Sequence, residues 1–240
     1  MVNMISLLYR VLYTVYCIRM RYLGVFFFLY RAVSVVKASI VIAASCVDGV
    51  IIGTDSLSSI GGKQTLIQNR NFESVFPIDS NTCLCYAAGD FAFYKLRDAL
   101  RTILTEYRLE NGDGRGLGAE SIAHITRALI HSKYRDVHAI IVGKDTKDAF
   151  YIYEIIPGGT RVKQSLAVAG SGAASTSLVA SLLFQEKSTV EEGIAKMRQV
   201  LRSSVGADHR TKGRMKLWSL TTSGLKRVEE VDITEPSSFV

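Results

Sequence analysis

The chain has little proline, only three residues in 240, and its nineteen glycines do not indicate a low-complexity segment. No internal repeat or linker interrupts it. Apolar residues make up 48% of the sequence and charged residues 21%. A chain of this length and composition can bury the core of one large domain or of two small ones.

Acidic residues are missing from the first 38 positions. This segment carries five basic residues, which are Arg10, Arg19, Arg21, Arg31 and Lys37. Without them the chain has 24 basic and 22 acidic residues, so the net charge of +7 comes largely from one end. The remainder has no basic patch interleaved with aromatic residues. The sequence therefore does not predict nucleic-acid binding.

The same segment lacks a long apolar run. Its longest uncharged stretches are residues 11–18 and 22–30, and a bilayer span needs roughly 20 apolar residues. The hypothesis that the chain is a membrane protein would rest on this segment alone. Arginine without acid resembles a transit peptide, but serine is sparse, and no secretory cleavage site is evident. We interpret residues 1–38 as a leader, either a pro-segment or a mis-called start, with Met20 as an alternative start.

The cysteines and histidines of the sequence also lack the spacing that is typical of a metal site. The cysteines are Cys17, Cys46, Cys83 and Cys85. The last three lie in strand-like apolar runs, which favours buried free thiols in a reducing compartment. The scattered histidines are His124, His131, His138 and His209. No ligand cluster surrounds them, so the sequence predicts no metal ion.

The clearest local signal is a hairpin from Ser39 to Asp55. Two apolar runs, residues 40–44 and 50–52, flank an Asp48-Gly49 turn. Asp-Gly between β-branched runs is typical of a hairpin, because the turn needs residues that tolerate positive φ. Both runs are nearly continuous, which suits strands covered on both faces. A hydroxyl begins the hairpin and a carboxylate ends it, so the two could share one site.

The rest of the chain alternates groups of strands with pairs of helices. After a polar loop at 56–62, the predicted elements are strands at 64–67, 72–78 and 82–88, helices at 90–111 and 119–134, strands at 137–144, 149–156 and 161–168, helices from Gly170 to about residue 186 and from Ser188 onwards, and strands at 214–221 and 225–231. Ser188 and Glu191 form a predicted capping box. This order predicts one α+β domain, a four-layer αββα sandwich.

Two possible catalytic or binding motifs are weak or missing. The Gly170-Ser171-Gly172 stretch has no following Lys-Ser/Thr, so close strand–helix packing is favoured over phosphate binding. No G-x-S-x-G nucleophile elbow occurs.

Five motifs, taken in order, resemble the beta-type subunits of the proteasome core particle, which are N-terminal nucleophile hydrolases. They are D-G-V-I-I-G-T-D at 48–55, C-Y-A-A-G-D at 85–90, V-H-A-I-I-V-G at 137–143, A-G-S-G-A at 169–173 and A-D-H-R-T-K-G at 207–213. The resemblance assigns residues 39–231 to a proteasome beta-type domain and 232–240 to a C-terminal tail. It also implies the αββα fold.

Among beta types the chain is most similar to the seventh, which is non-catalytic. Four stretches carry this likeness: D-S-L-S-S-I-G-G at 55–62, Q-N-R-N-F-E-S-V-F at 68–76, A-A-G-D-F-A-F at 87–93 and R-A-L-I-H-S-K-Y-R at 127–135.

The resemblance also assigns site positions. Active members use an N-terminal threonine, freed by self-cleavage after a glycine and activated by a lysine amine. Here Ser39 stands at the threonine position after Ala38, and Ser74 stands at the lysine position. The positions matching the family's orienting carboxylates and hydroxyls are Asp55, Ser171, Asp208 and Thr211, the last in place of a serine.

These changes predict a non-catalytic subunit, because removing one member of a catalytic set commonly costs about a thousandfold or more in rate. The resemblance implies a subunit of a stacked seven-membered beta ring that helps to wall the proteolytic chamber. Its partners would be other beta and alpha subunits, with no cofactor, nucleic acid or membrane, in cytoplasm and nucleus. The particle would serve ubiquitin- and ATP-dependent protein degradation. The tail at 232–240 is either an anchor on a neighbouring subunit or a disordered end.

The alternative is an active N-terminal nucleophile endopeptidase. Cleavage between Ala38 and Ser39 would expose Ser39 as the nucleophile. Activation would then need a cation from elsewhere, and Lys63 and Arg70 are the nearest candidates in the sequence.

Overall fold

A computed structural model of the chain describes residues 37–60, 66–69, 71–87, 91–112, 116–145, 149–207 and 213–232. The strands are β1 (Lys37–Ala38), β2 (Ile40–Ser45), β3 (Gly49–Asp55), β4 (Ser58–Ile60), β5 (Leu66–Asn69), β6 (Val75–Pro77), β7 (Thr82–Tyr86), β8 (Ala139–Lys144), β9 (Phe150–Ile156), β10 (Thr160–Gln164), β11 (Leu166–Gly170), β12 (Arg214–Thr221) and β13 (Gly224–Asp232). The helices are α1 (Phe91–Asn111), α2 (Ala119–Ser132), α3 (Ala173–Leu183) and α4 (Val190–Ala207).

Two five-stranded antiparallel sheets form the centre of the fold. The hairpin sheet has the strand order β11-β2-β3-β12-β13, and the second sheet has the order β10-β9-β8-β7-β6. A small third sheet has the strand order β1-β4-β5. The predicted hairpin forms as β2 and β3, with Val41 opposite Thr54 and Ser45 opposite Val50.

The two large sheets face each other and helices cover their outer faces. Alternate residues of the hairpin sheet point to opposite sides, as the pleat of a strand requires. Between the sheets lie Val41, Ala43, Ile52, Cys85, Ile140 and Leu220, among others.

On the outer side of the hairpin sheet, Ile42 and Leu217 pack with Ala180 of α3 and with Met197 and Leu201 of α4. On the outer side of the second sheet, Ile141 packs with Leu96 and Leu100 of α1 and with Ile122 of α2. The predicted four-layer αββα sandwich is confirmed.

The turn of the hairpin needs glycine for a reason other than the predicted one. Gly49 does not have a positive φ; a Cβ there would stand 2.3 Å from the carbonyl oxygen of Leu220 on β12. The turn is closed by the Cys46 N–H, which donates to the Gly49 carbonyl at 2.8 Å. Close approach between neighbouring strands, and not turn conformation, therefore requires the glycine.

The cap of α4 lies one residue beyond the predicted Ser188–Glu191 box. The N–H of Thr189 donates to Glu192 Oε2 at 2.9 Å, and the N–H of Glu192 donates to Thr189 Oγ1 at 3.3 Å. Asp48 of the hairpin turn accepts a further bond from the Val190 N–H at 2.8 Å. This bond ties the hairpin turn to the start of the helix, because it satisfies one of the free N–H groups there.

The single strand predicted at 161–168 is wrong, because two strands occupy this stretch. β10 pairs with β9 in the second sheet, whereas β11 pairs with β2 in the hairpin sheet. The chain changes sheets at Ser165, whose carbonyl accepts a bond from the Ser45 N–H at 2.8 Å. The polar T-R-V-K-Q suits an edge strand, and the small apolar L-A-V-A-G suits a buried one. The predicted loop at 56–62 is also partly wrong, since β4 lies within it.

Three observations concern membrane helices, metal sites and cysteine thiols. Within the described parts of the chain, no helix is long and apolar enough to cross a membrane. In those same parts, no three His, Cys, Asp or Glu side chains are grouped as a metal site. Cys46, Cys83 and Cys85 are free thiols, and the last two are buried. Residues 1–36 of the leader and residues 233–240 of the tail lie outside the described residues, and the domain boundaries stay a prediction.

Candidate functional site

Ser39 and Asp55, at the two ends of the hairpin, meet in the folded chain. Ser39 Oγ donates a hydrogen bond to Asp55 Oδ1 at 2.8 Å, and the Ile40 N–H donates to the same oxygen at 2.8 Å. Ser39 and Asp55 are both fully buried. The antiparallel hairpin makes this meeting local, because it sets the start of β2 beside the end of β3. A hydroxyl and a carboxylate therefore share one site.

The turn after β11 closes over Ser39 from a third strand. β11 pairs with β2 so that Gly170 lies opposite Ile40. Gly170 has φ +120°, and a Cβ there would stand 2.0 Å from the Ser39 carbonyl oxygen. That oxygen accepts a bond of 3.2 Å from the Ser171 N–H. The structure thus places Ser171 beside Ser39 through its backbone.

Ser74 gives the site no positive charge. Its side chain is fully buried, and its Oγ has no hydrogen-bond partner among the described residues. The preceding chain is held against the hairpin by the Phe72 N–H, which donates to the Ser56 carbonyl at 2.8 Å. The Ser74 carbonyl accepts from the Tyr86 N–H at 2.9 Å. A neutral hydroxyl in a lysine position cannot lower the proton affinity of a neighbouring hydroxyl as an ammonium does.

The sequence interpretation missed a buried cation, Lys216 on β12. Lys216 lies opposite Thr54 across the strands and is only 3% exposed. Its Nζ donates to the Phe72 carbonyl at 3.2 Å and to Glu73 Oε2 at 3.1 Å. The ammonium is therefore engaged by a carboxylate next to Ser74. The M-K-L-W-S-L pattern, a lysine among buried apolar residues of a strand, is the signal that could have indicated it.

The backbone before Ser39 is itself paired. β1 runs antiparallel to β4, with Lys37 opposite Ile60 and Ala38 opposite Ser59. In the intact chain, the Ser39 nitrogen belongs to the peptide bond with Ala38, so it offers no α-amine as a base. One edge of strand β4 is therefore already occupied by Lys37 and Ala38, the two residues of the chain that directly precede Ser39.

Four residues named from the sequence lie outside the described residues. They are Lys63, Arg70, Asp208 and Thr211. The assigned positions that the structure describes are Ser39, Asp55, Ser74 and Ser171. Hydrogen bonds join Ser39 to Asp55 and to Ser171, whereas the segment that leads to Ser74 is bonded through Phe72 to Ser56, directly after the hairpin.

Replacing Lys216 by methionine is expected to lower the free energy of unfolding by about 2 kcal/mol. Breaking a fully buried ion pair costs more than this. The cost is smaller here because Glu73 is 32% exposed and its carboxylate also lies 3.7 Å from the Arg227 guanidinium. The matched control is Lys226→Met on exposed β13, which should have little effect. Urea unfolding of the purified full chain measures both. Equal effects of the two variants would contradict a specific Lys216–Glu73 contact.

Comparison with known proteins agrees with this architecture. The family model described as proteasome subunit matches residues 35–220. A proteasome subunit beta of Methanosphaera stadtmanae is 25% identical over 190 residues, which cover 79% of this chain and 90% of the relative. A probable proteasome subunit beta type-1 of Schizosaccharomyces pombe is 24% identical, covering 75% of this chain and 78% of the relative.

A third relative comes from Dictyostelium discoideum. Its proteasome subunit beta type-6 is 26% identical over 181 residues, covering 75% of this chain and 82% of the relative. The family match spans most of the chain and includes the hairpin, Ser74 and the Ser171 turn. The fold, the site geometry and these matches agree that the chain belongs to the proteasome beta subunit family, a family of threonine-type peptidases.

Proposed function

We propose that this chain is a non-catalytic structural beta subunit of the proteasome core particle, most similar to the seventh beta type. The observation that carries the proposal is the buried, neutral Ser74 at the position where active members have lysine. Without an ammonium at residue 74, Asp55 orients the Ser39 hydroxyl, but residue 74 gives no positive charge to stabilise the alkoxide that this hydroxyl would become.

The nearby buried cation supports the proposal. Lys216 is bonded to Glu73, whose carboxylate offsets its charge. An ammonium held in this way serves to join β12 to the segment before Ser74. Ala38 instead of glycine before Ser39 adds further support, since self-cleavage in active members follows glycine.

The proposed function is then structural, since the subunit contributes its shape and its contacts with neighbouring subunits to the particle. The subunit occupies a position in one of two stacked seven-membered beta rings, between beta neighbours and below alpha subunits. It helps to wall the chamber in which its catalytic neighbours cleave proteins in ubiquitin- and ATP-dependent degradation, in the cytoplasm and the nucleus. The tail at 232–240 anchors it on a neighbour in this proposal.

Ser39→Ala tests the proposal. Because the Ser39 hydroxyl does no chemistry here, every peptidase activity of the purified particle is expected to be unchanged. Fluorogenic peptides covering acidic, basic and apolar cleavage preferences measure this. Since the variant also removes the bond to Asp55, particle yield serves as the folding control. Loss of one activity at normal particle yield would contradict the proposal.

One observation favours a second candidate, an active endopeptidase with Ser39 as its nucleophile. The Ser39 hydroxyl already donates to Asp55 at 2.8 Å, and a primary hydroxyl can be acylated. This candidate requires cleavage between Ala38 and Ser39, together with a cation from elsewhere. The Ser39→Ala experiment separates the two candidates directly.

A further inference from the structure

The hydroxyl of Thr54 is buried without a partner among the described residues. Thr54 is fully buried, and its Oγ1 makes no hydrogen bond within this part of the chain. It lies two residues beyond Ile52 on β3, so its side chain points, like that of Ile52, into the space between the two large sheets. A buried hydroxyl without a partner is costly, and this cost indicates a bound polar molecule.

The side chain beside this hydroxyl is that of Lys216. Lys216 on β12 stands opposite Thr54 in the strand register. Two side chains in such a pair have Cβ atoms about 4.5–5.5 Å apart. On the other side of Thr54 stands Val41, which is apolar and fully buried. Of the two neighbours of Thr54 in the register, Lys216 is therefore the one with hydrogen-bonding atoms in its side chain.

The ammonium of Lys216 has a donor to spare. An ammonium carries three N–H donors. Two of them have acceptors among the described residues, the Phe72 carbonyl at 3.2 Å and Glu73 Oε2 at 3.1 Å. Both distances exceed the roughly 2.7–2.9 Å that is usual for a charge-assisted bond. The third donor is therefore available for a further acceptor.

The carboxylate of Glu73 supplies a matching acceptor. Its Oε2 bonds to Lys216, whereas its Oε1 is buried and has no hydrogen-bond partner among the described residues. One donor on Lys216, one acceptor on Glu73 and the hydroxyl of Thr54 thus each lack a bond. The ion pair and the strand register hold these three residues together.

The charges around the group favour a neutral molecule over an ion. The carboxylate of Glu73 offsets the ammonium of Lys216. An added cation would meet the ammonium at short range, and an added anion would meet the carboxylate, with little water to screen either charge. Water is neutral, donates as well as accepts, and typically makes about three hydrogen bonds when it is buried. The three missing bonds match this number.

We propose that Thr54, Glu73 and Lys216 bind one buried water molecule. The water accepts from the Lys216 ammonium, donates to Glu73 Oε1 and forms a third bond with Thr54 Oγ1. It joins β3, β12 and the segment before Ser74 between the two sheets. The proposal goes beyond the proposed function and does not depend on it, because it concerns the folded chain alone.

Thr54→Val tests the water through the sign of its effect on stability. Valine keeps the branched shape and removes the hydroxyl. Because the variant loses a bond to the water, we expect the equilibrium constant of unfolding to rise about fivefold. A hydroxyl with no partner would give the opposite result, since its removal relieves a cost. Urea unfolding of the purified full chain measures the constant, and a fall or no change would overturn the proposal.

Thr176→Val is the matched control. Thr176 is 1% exposed, and its Oγ1 lies 2.8 Å from Ser204 Oγ, so its hydroxyl has a partner in the chain. We expect this variant to raise the unfolding constant about as much as Thr54→Val. A rise for the control alone would overturn the proposal, because it would show that the Thr54 hydroxyl makes no comparable bond.

A double variant tests whether Thr54 and Lys216 share the water. Lys216→Met removes the donor to the water. In this background we expect Thr54→Val to change the unfolding constant by less than about twofold, because the two residues act through one molecule. The same fivefold rise in both backgrounds would overturn the shared site.

A crystal structure of the full chain provides the direct measurement. Density for one water within hydrogen-bond distance of Thr54 Oγ1, Glu73 Oε1 and Lys216 Nζ would support the proposal, whatever the variants show. A side chain of this protein in that place would overturn it, and so would a site without density.

Discussion

Ala38→Gly, Ser39→Thr and Ser74→Lys, made together, are expected to raise peptide hydrolysis by this subunit about a thousandfold over the unaltered chain. On the proposed function, the glycine supplies the residue after which active members cleave themselves, the threonine supplies their nucleophile, and the lysine supplies their ammonium. Two contacts of the site are already in place among the described residues, since residue 39 bonds to Asp55 and its carbonyl accepts from the Ser171 N–H. Activity is measured in particles whose catalytic neighbours have been inactivated.

The matched control for this experiment keeps Ser74. Ala38→Gly with Ser39→Thr should remain near the activity of the unaltered chain, because the cation is still missing. If this double variant were as active as the triple variant, the lysine position would not be what limits the site. If the triple variant were correctly cleaved yet inactive, the site would lack more than these three groups.

Gly170→Ala is expected to lower the free energy of unfolding by about 4 kcal/mol. Two costs combine at this residue. Its φ of +120° is strained for any residue with a Cβ, and the added carbon would stand 2.0 Å from the Ser39 carbonyl oxygen, a backbone atom that cannot turn away. The strand pair β2–β11 would have to separate where Ser171 closes over the site.

Gly158→Ala isolates the first of these costs. Gly158 has φ +88°, but a Cβ there would meet no atom within 4 Å. We therefore expect this variant to lose only about 1 kcal/mol, from backbone strain alone. Urea unfolding of the two purified variants measures the difference. Equal losses would contradict the close approach of Gly170 to Ser39.

The parts of the fold that the sequence predicted are local. The hairpin and the meeting of Ser39 with Asp55 follow from one turn and two continuous apolar runs, because an antiparallel pair sets the ends of its strands side by side. The change of sheet at Ser165 could not be predicted in this way. It depends on which distant strand each half pairs with, β9 or β2, and local pattern carries no such information.

The parts of the site that the sequence missed are tertiary contacts. Lys216 and Glu73 are 143 positions apart, and their ion pair exists only because β12 lies beside β3 in the hairpin sheet. The predicted role of Gly49 was wrong for a related reason, since the atom that requires glycine belongs to Leu220. A glycine at the start of a buried strand and a lysine among apolar residues are both unusual, but the reason for each is given only by the residues that pack against it.

The intact mass of this chain, taken from purified core particles of its native cell, tests the central claim most directly. A subunit that does not cleave itself keeps residues before Ser39, so we predict a mass that includes Ala38 and at least part of the leader. Ser39 then has no α-amine and cannot act as an N-terminal nucleophile. A chain that begins at Ser39 would contradict the account, because it would show that the bond before the candidate nucleophile is cleaved.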